Sequence, residues 1–346
     1  MLRLLQIPVG LLMPSLKAVR RGTGIHLRYG EVQLALDTGI PGLTTLLSHA
    51  HSDHIGDLHL AKQVVATQET IDALAARGGK VAQPISSIRY NETFGQIGAY
   101  ITPLNAGHVI GSAMFRIEFD DGLSVLYTGD FNVVDSIVHT AAKPVPADVL
   151  ITEATYGTPQ WVFPDRSTVH HDIVNTAKRI IEQGRIPIFR AYSLGKAQEA
   201  IALLQNAKVE VLSGNPAIDS VCEVYNHYGS KLHYSSLESR DARNSLQSGC
   251  AVVTSAPRHA IANVGKLLGK PFAKDLERRK ETYNLSGWTL GEYKNGGFPL
   301  SAHTDFPGLL KFAEAVVPKI AYCFTDNAGV LSGHLAKRGI NAVPLE

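Results

Sequence analysis

Between Leu46 and Asp57 the chain reads Leu46-Leu47-Ser48-His49-Ala50-His51-Ser52-Asp53-His54-Ile55-Gly56-Asp57, which puts three histidines and one aspartate in six residues directly after an apolar run. A strand sends alternate side chains the same way, so His49 and His51 can face one point as a pair. Once the chain turns, Asp53 and His54 can face a second point close by. Imidazole and carboxylate together suit zinc or a similar first-row divalent ion. Four such groups in an apolar setting would be costly to bury unless something paired with them. The stretch is therefore read as a metal site, against the plainer reading of a polar turn rich in histidine.

Other groups of the same chemistry recur where strands end. Two alternating runs flank Tyr29-Gly30-Glu31 as a hairpin, and its second arm ends in Asp37-Thr38-Gly39. An apolar strand from Thr44 to Leu47 delivers the histidine loop, and Thr67 to Thr70 can cap a helix over Ile71 to Ala76. His108 sits in Asn105-Ala106-Gly107-His108-Val109-Ile110-Gly111-Ser112, ahead of a strand from Met114 to Phe119. After the turn Asp120-Asp121-Gly122, a further strand ends in Asp130, and the apolar run from Asp148 ends in Glu153. Polar groups gathered on loops at one edge of a rigid sheet are what an active site requires.

The chain has 346 residues, enough for two domains or for one domain carrying an insertion. A formal net charge of +2 argues against a tail-driven nucleic-acid binder but leaves a local basic groove open. Cys222, Cys250 and Cys323 are widely separated, odd in number and without zinc-finger spacing, so they read as reduced core thiols of a cytoplasmic protein. No apolar run approaches the roughly 18 residues of a membrane span. Met1 to Leu16 is apolar but is interrupted by Pro8, Gly10 and Pro14, so it reads as a strand and loop rather than a signal peptide.

Near residue 164 the grammar changes from hairpins to alternation. Helices are expected from about Ser167 to Gln183, from Ser193-Leu194-Gly195-Lys196 to about Leu204 and from Ala217 to Tyr228. Strands at Ile186 to Phe189, Val209 to Leu212 and Gly249 to Thr254 fall between and after them. That alternation describes a parallel α/β layer. Near residue 295 the pattern changes once more, leading to Ser301-Ala302-His303-Thr304-Asp305, a helix from Pro307 to Val316, a strand from Ile320 to Phe324 and a last helix before Gly339.

With Asp37, the 49–54 loop, His108, Asp130, Glu153 and His303 assembled, the chain resembles the metallo-β-lactamase fold, and within it the β-CASP nuclease branch. Asp37 matches the first motif of the fold, His49-Ala50-His51-Ser52-Asp53-His54 the HxHxDH motif, His108 the third and Asp130 the fourth. Glu153 in Thr152-Glu153-Ala154-Thr155-Tyr156-Gly157 and His303 in its Ser-Ala-His-Thr-Asp segment match the first two motifs peculiar to the branch. The resemblance implies an α/β protein: an αββα sandwich over 1–163 and 296–346, with a parallel α/β β-CASP domain inserted at 164–295. It implies that His49, His51 and His108 hold one Zn2+ (Mn2+ being the alternative), that Asp53 and His54 hold a second, and that Asp130 bridges both. Asp37 would orient ligands, Asp53 would serve the catalytic centre through the second ion, and His303 would protonate the departing oxygen, kept protonated by Glu153.

One motif of the branch is missing. RNA-processing members carry a histidine ligand of the second metal after a late strand, whereas here Phe324 runs into Thr325-Asp326-Asn327. Asp326 is the oxygen ligand that could replace it, one residue out of register, and otherwise the second metal is expected to bind weakly. The inserted domain implies a cleft for a single strand of RNA or DNA, with Ser193 and Lys196 at one helix start and Arg258 at another as candidate phosphate contacts. Lys274, Arg278, Arg279 and Lys280 are interleaved with acids and read as a solvated helix face. His170-His171 reads as a surface pair.

The motifs lean to an RNA 3′-end-processing type of nuclease. The compact length and the absent histidine keep a DNA exonuclease of the ligase-associated type open. A non-catalytic scaffold subunit would have lost several ligands, and a small-molecule hydrolase of the glyoxalase or lactonase type would leave residues 164–295 without a purpose. No membrane partner is expected, and a second copy of the chain is a possible one.

Overall fold

The computed structural model describes residues 15–96, 98–239, 241–290 and 296–345. The strand expected over the first sixteen residues falls, but for its last two positions, outside them. Three sheets are present among the described residues. The first holds six strands in the order Lys17–Arg21, Gly24–Tyr29, Val32–Leu36, Thr44–Leu46, Gln63–Thr67 and Ile85–Ile88. The second holds seven: Ala342–Pro344, Ile320–Phe324, Val149–Glu153, Ser124–Tyr127, Ala113–Phe119, Ala99–Asn105 and Phe94–Gln96. Inward residues of both, among them Ile25, Leu34, Leu46, Phe115, Val125 and Ile151, interdigitate as one buried core. Helices Phe306–Val316 and Ala328–Ala336 cover the far face of the second sheet. This is the αββα sandwich, closed by strand Ile320–Phe324, which pairs in parallel with Val149–Glu153 across a long gap in sequence.

The third sheet is parallel throughout: Ser235–Ser236, Val211–Ser213, Ala251–Thr254, Ile186–Arg190, Lys280–Leu285 and Gly297–Phe298. It lies wholly between the chain's departure from the sandwich after Glu153 and its return at Phe306. Ile173, Phe189, Ala197 and Ile201 of this layer share a single apolar core with Leu47, Ala73 and Val109 of the sandwich. The two parts therefore pack as one body over the histidine loop.

Local chemistry accounts for most element boundaries. Tyr29 faces Val32 across the two-residue turn at Gly30 and Glu31, with Gly30 at φ 55. Thr67 caps helix Gln68–Ala76, its hydroxyl accepting from Thr70 N at 3.2 Å. Strands Gln63–Thr67 and Ala99–Asn105 were not legible in the pattern, the second because Pro103 argues against a strand interior. Cys222, Cys250 and Cys323 are free and buried, as expected. No helix among the described residues is long and apolar enough to cross a membrane.

In the loop after Asp37, Gly39 tolerates no added atom. Gly39 N donates to Gly56 O at 3.0 Å, and a Cβ on Gly39 would lie 1.8 Å from Asp57 O. Gly39→Ala is expected to lower stability by about 3 kcal/mol, read as a fall in the urea midpoint. An unchanged midpoint would show that this backbone contact gives way freely.

Candidate metal centre

Asp37 sits at φ 53, fully buried where strand Val32–Leu36 ends. Its carboxylate accepts four bonds: from Ser48 N and Ser48 Oγ, both at 2.6 Å, from Tyr127 OH at 2.7 Å and from His54 Nδ1 at 2.8 Å. Asp37 thus ties the histidine loop to the second sheet. Tyr127 and Ser48 escaped the sequence reading, although a tyrosine in a buried strand must find a partner for its hydroxyl.

Those bonds fix where the imidazole lone pairs point. Ser48 Oγ spends its proton on Asp37, so it accepts from His49 Nδ1 at 2.9 Å, leaving His49 Nε2 bare. His51 Nε2 donates to Leu194 O at 3.2 Å and leaves Nδ1 bare, while His108 Nδ1 donates to Ala302 O at 2.9 Å and leaves Nε2 bare. The three bare nitrogens converge: His49 Nε2 and His108 Nε2 lie 3.0 and 3.1 Å from His51 Nδ1. Acceptors held that close repel one another unless a cation lies between them. Their outward nitrogens are anchored as those of ligating histidines are, so the donor set fits a divalent ion.

Burial works the same way. It pulls His49 and His108 well below the ordinary imidazole range, aided by the neighbouring rings, and takes His51 down to about 3. Neutral imidazoles are the form that binds metal.

Asp130 Oδ2 lies at the middle of the cluster, 3.7 Å from His49 Nε2 and His108 Nε2, 3.3 Å from His54 Nε2 and 3.9 Å from His303 Nε2. Burial opposes its charge, but His54, His303 and His108 outweigh that and hold the carboxyl well below its usual range. Burial likewise pulls His54 down, but Asp130 and Asp37 together raise it.

Glu153 ends strand Val149–Glu153, is fully buried, and accepts from Phe131 N at 2.9 Å. His303 Nδ1 lies 3.1 Å from both of its carboxylate oxygens. Residues 150 apart in sequence are joined because strand Val149–Glu153 pairs with Ile320–Phe324 and the His303 loop crosses their ends.

The structure does not gather every expected group. Asp53 is exposed and lines the cleft of ≈ 410 Å³ at the centre with His51, His54, Asp130, Lys196, His303 and Thr325, but it is outside the ligand clusters. Asp326 is exposed and is not among the residues that line the cleft, whereas Thr325, at φ 77, lines it and accepts from Ala154 N at 3.1 Å. The strand stops at Phe324, and the left-handed residue after it turns the next side chain outward.

Of the phosphate candidates, Lys196 is buried and lines the cleft, its Nζ 4.7 Å from the Tyr192 ring centroid. Burial lowers its ammonium to about 8, Glu199 and Asp130 partly offsetting this. Ser193 is half-buried away from the lining, and Arg258 is exposed on helix Pro257–Leu267, so neither is brought to the centre.

The His170-His171 expectation also needs correction, since His170 Nε2 lies 2.9 Å from the buried Glu199. Arg166 clasps Glu199 with two bonds of 2.7 and 2.6 Å and donates a third to Ser301 O at 3.0 Å, bracing the loop that carries His303. Burial would raise the Glu199 carboxyl, but the bond from His170 and the charge of Arg166 bring it down to about 2. This stabilisation is present above the ordinary carboxylate range and is lost as pH falls toward 2. Arg166→Ala leaves Glu199 buried beside a weaker partner and is expected to cost about 3 kcal/mol at neutral pH. The loss should shrink in acid, as measured by urea denaturation at pH 7 and pH 3, and an equal loss at both would refute the pairing. The basic run near 275 behaves as expected, Asp275 pairing with Arg278 and Arg279, and Glu277 with Lys280.

Residues 28–189 match the family profile described as a beta-lactamase superfamily domain. An RNase J-like protein of Methanocaldococcus jannaschii is 28% identical over 51% of this chain and 46% of its own length. Cleavage and polyadenylation specificity factor 73 of Drosophila melanogaster is 34% identical over 43% of this chain and 21% of its own. A protein of Opitutus terrae named a probable DNA ligase is 27% identical over 89% of this chain and 29% of its own length. The chain spans less than half the length of each of these relatives.

Proposed function

The chain belongs to the metallo-β-lactamase superfamily, in its β-CASP branch, and from that premise we propose that it is a metal-dependent nuclease hydrolysing phosphodiester bonds of single-stranded nucleic acid, RNA by preference. The observation that carries the reading is the meeting of two constellations on one carboxylate. Three bare imidazole nitrogens and the Glu153–His303 pair both face Asp130. We divide the chain accordingly into a sandwich and an inserted domain beginning at 164, and the expected return to the sandwich at 296 moves past Phe298, because Gly297–Phe298 still pairs with Lys280–Leu285 in the third sheet.

In this reading His49, His51, His108 and Asp130 would hold one divalent ion, and His54 with Asp53, which lines the cleft outside the tight clusters, would hold a second. Zn2+ is the proposed occupant, with Mn2+ the alternative. When bound, such ions acidify water and offset the charge on a phosphate. With Thr325 where relatives of the RNA-processing type carry histidine, the second site has one imidazole fewer and is the weaker. Asp37 keeps His54 in the tautomer whose Nε2 faces the cleft. His303 Nδ1–H donates to Glu153, so Nε2 faces the cleft and, in the imidazolium, gives its proton to the departing oxygen. Lys196, buried in the lining of the cleft, supplies a cation to the phosphate.

A DNA substrate is the second reading, favoured by the relative named a probable DNA ligase, which aligns with nearly the whole chain. End-labelled single-stranded RNA and DNA, incubated with Zn2+ or Mn2+, with chelator, and with the Asp53→Ala and His303→Ala variants, decide between them. Cleavage that survives chelator, or that both variants retain in full, would sink the mechanism. No cleavage of either polymer would favour a scaffold role. A cytoplasmic setting fits the three buried free thiols, and a monomer's mass in solution would exclude the homodimer.

A further inference from the structure

Beside the metal cleft, and sharing Tyr192, Ser286 and Trp288 with it, lies a second cavity of ≈ 250 Å³. It opens at the carboxyl ends of the third sheet, where Arg190 ends one strand, Ser255 follows another and Asn284 lies at the end of a third. Crevices at that edge of a parallel sheet are where such folds take ligands. Among the described residues no acidic side chain lines it, and Arg190 at its rim is exposed and makes no ion pair.

Two large rings stand at the passage between the cavities. Tyr192 is 65% exposed and lies on the metal side 6.4 Å from the His51 ring. Trp288 is 40% exposed, yet it is braced from behind by Tyr156 and Trp161, each with its ring centroid 4.8 Å away. A Cβ on Gly287 would come within 2.4 Å of Tyr156 OH, so the backbone is pressed against that brace. The result is a fixed aromatic surface with one open side. Thr289 also lines the cavity, but its Oγ1 is sealed off and has no hydrogen-bond partner among the described residues, so the ring and the cation are what the cavity offers.

We propose that this cavity is a nucleotide subsite, in which one base of the strand stacks on Trp288 beside Tyr192 while Arg190 takes a phosphate. Stacking needs no particular base because every base has a π-face. Arg190 would hold the neighbouring backbone phosphate while another lies over the metal centre near Lys196. The subsite deepens the nuclease reading and rests on it for the identity of the strand.

The test compares AMP with ribose 5-phosphate, which carries the phosphate without the base, by calorimetric titration of the full-length protein. AMP is expected to bind about tenfold more tightly. That advantage should vanish in Trp288→Leu and survive within about threefold in Trp288→Phe, which keeps a stacking face and shows that the pocket still folds. Arg190→Ala should weaken AMP about tenfold. Equal binding of AMP and ribose 5-phosphate by the wild-type chain, or an AMP advantage that persists in Trp288→Leu, would overturn the subsite. Cleavage of a six-nucleotide adenylate, run in parallel, separates the two claims. If the polymer is cut and the AMP advantage is absent, the subsite falls alone. If the AMP advantage follows Trp288 but no polymer is cut, the subsite stands and the nuclease reading falls.

Discussion

Replacing Asp130 by alanine is expected to lower kcat for phosphodiester cleavage by about 10³-fold or more and to erase the stabilisation that added Zn2+ gives the wild-type chain. The carboxylate oxygen lies within 4 Å of four histidine rings. No other carboxylate in the His49–His51–His108 cluster can offset a cation there. A ligand that binds only the folded state stabilises it by about 2.7 kcal/mol at a hundredfold excess over its Kd, so the wild type should melt several degrees higher with Zn2+ than with chelator. Asp130→Ala should melt alike in both. A variant that kept the Zn2+-dependent shift and cut its substrate within tenfold of wild type would remove Asp130 from the centre.

The second large effect concerns the proton. His303→Ala is expected to lower kcat by about 10³-fold while leaving the Zn2+-dependent melting shift, because His303 is outside the cluster of bare nitrogens. Glu153→Gln discriminates more finely. Burial pulls the His303 imidazolium down, but Glu153 and Asp130 raise it above the ordinary value. Without the Glu153 charge its pKa falls, so the protonated acid is lost at a lower pH, and the basic limb of the kcat profile should move toward acid. A basic limb that stays in place would mean that His303 is not the group titrating there.

The subsite makes the same division of labour visible on the substrate side. Metal ligands act on the scissile phosphate, whereas Trp288 and Arg190 would act on its neighbour. Variants there should raise KM for an oligonucleotide more than they lower kcat.

Much of the arrangement was legible locally. The alternation of His49 and His51 follows from the two-residue period of an extended chain. The acids at Asp37, Asp130 and Glu153 were marked because each follows an apolar strand. The parallel layer announced itself through helices and strands of regular length, and all five of its strand pairings are parallel. The place of Asp326 beside the cleft has a local reason that only coordinates reveal: Thr325, directly after strand Ile320–Phe324, takes a left-handed conformation, and it is Thr325 that lines the cleft. His170 looked like a surface histidine because its partner, Glu199, lies on another helix.

The sequence by itself thus determined which residue types stand at strand ends, and so the chemistry available: imidazoles and carboxylates for a divalent ion, and a histidine to carry a proton. It did so because side-chain direction along a strand or helix depends only on near neighbours. Tertiary structure alone decided which lone pair each histidine presents, since Ser48, Leu194 O and Ala302 O set the tautomers of His49, His51 and His108. It alone also brought Trp288 against Tyr156 and Trp161, leaving one face of its ring open beside the metal cleft. Apart from Ser48 beside His49, such contacts join residues more than a hundred positions apart, and no local periodicity encodes them.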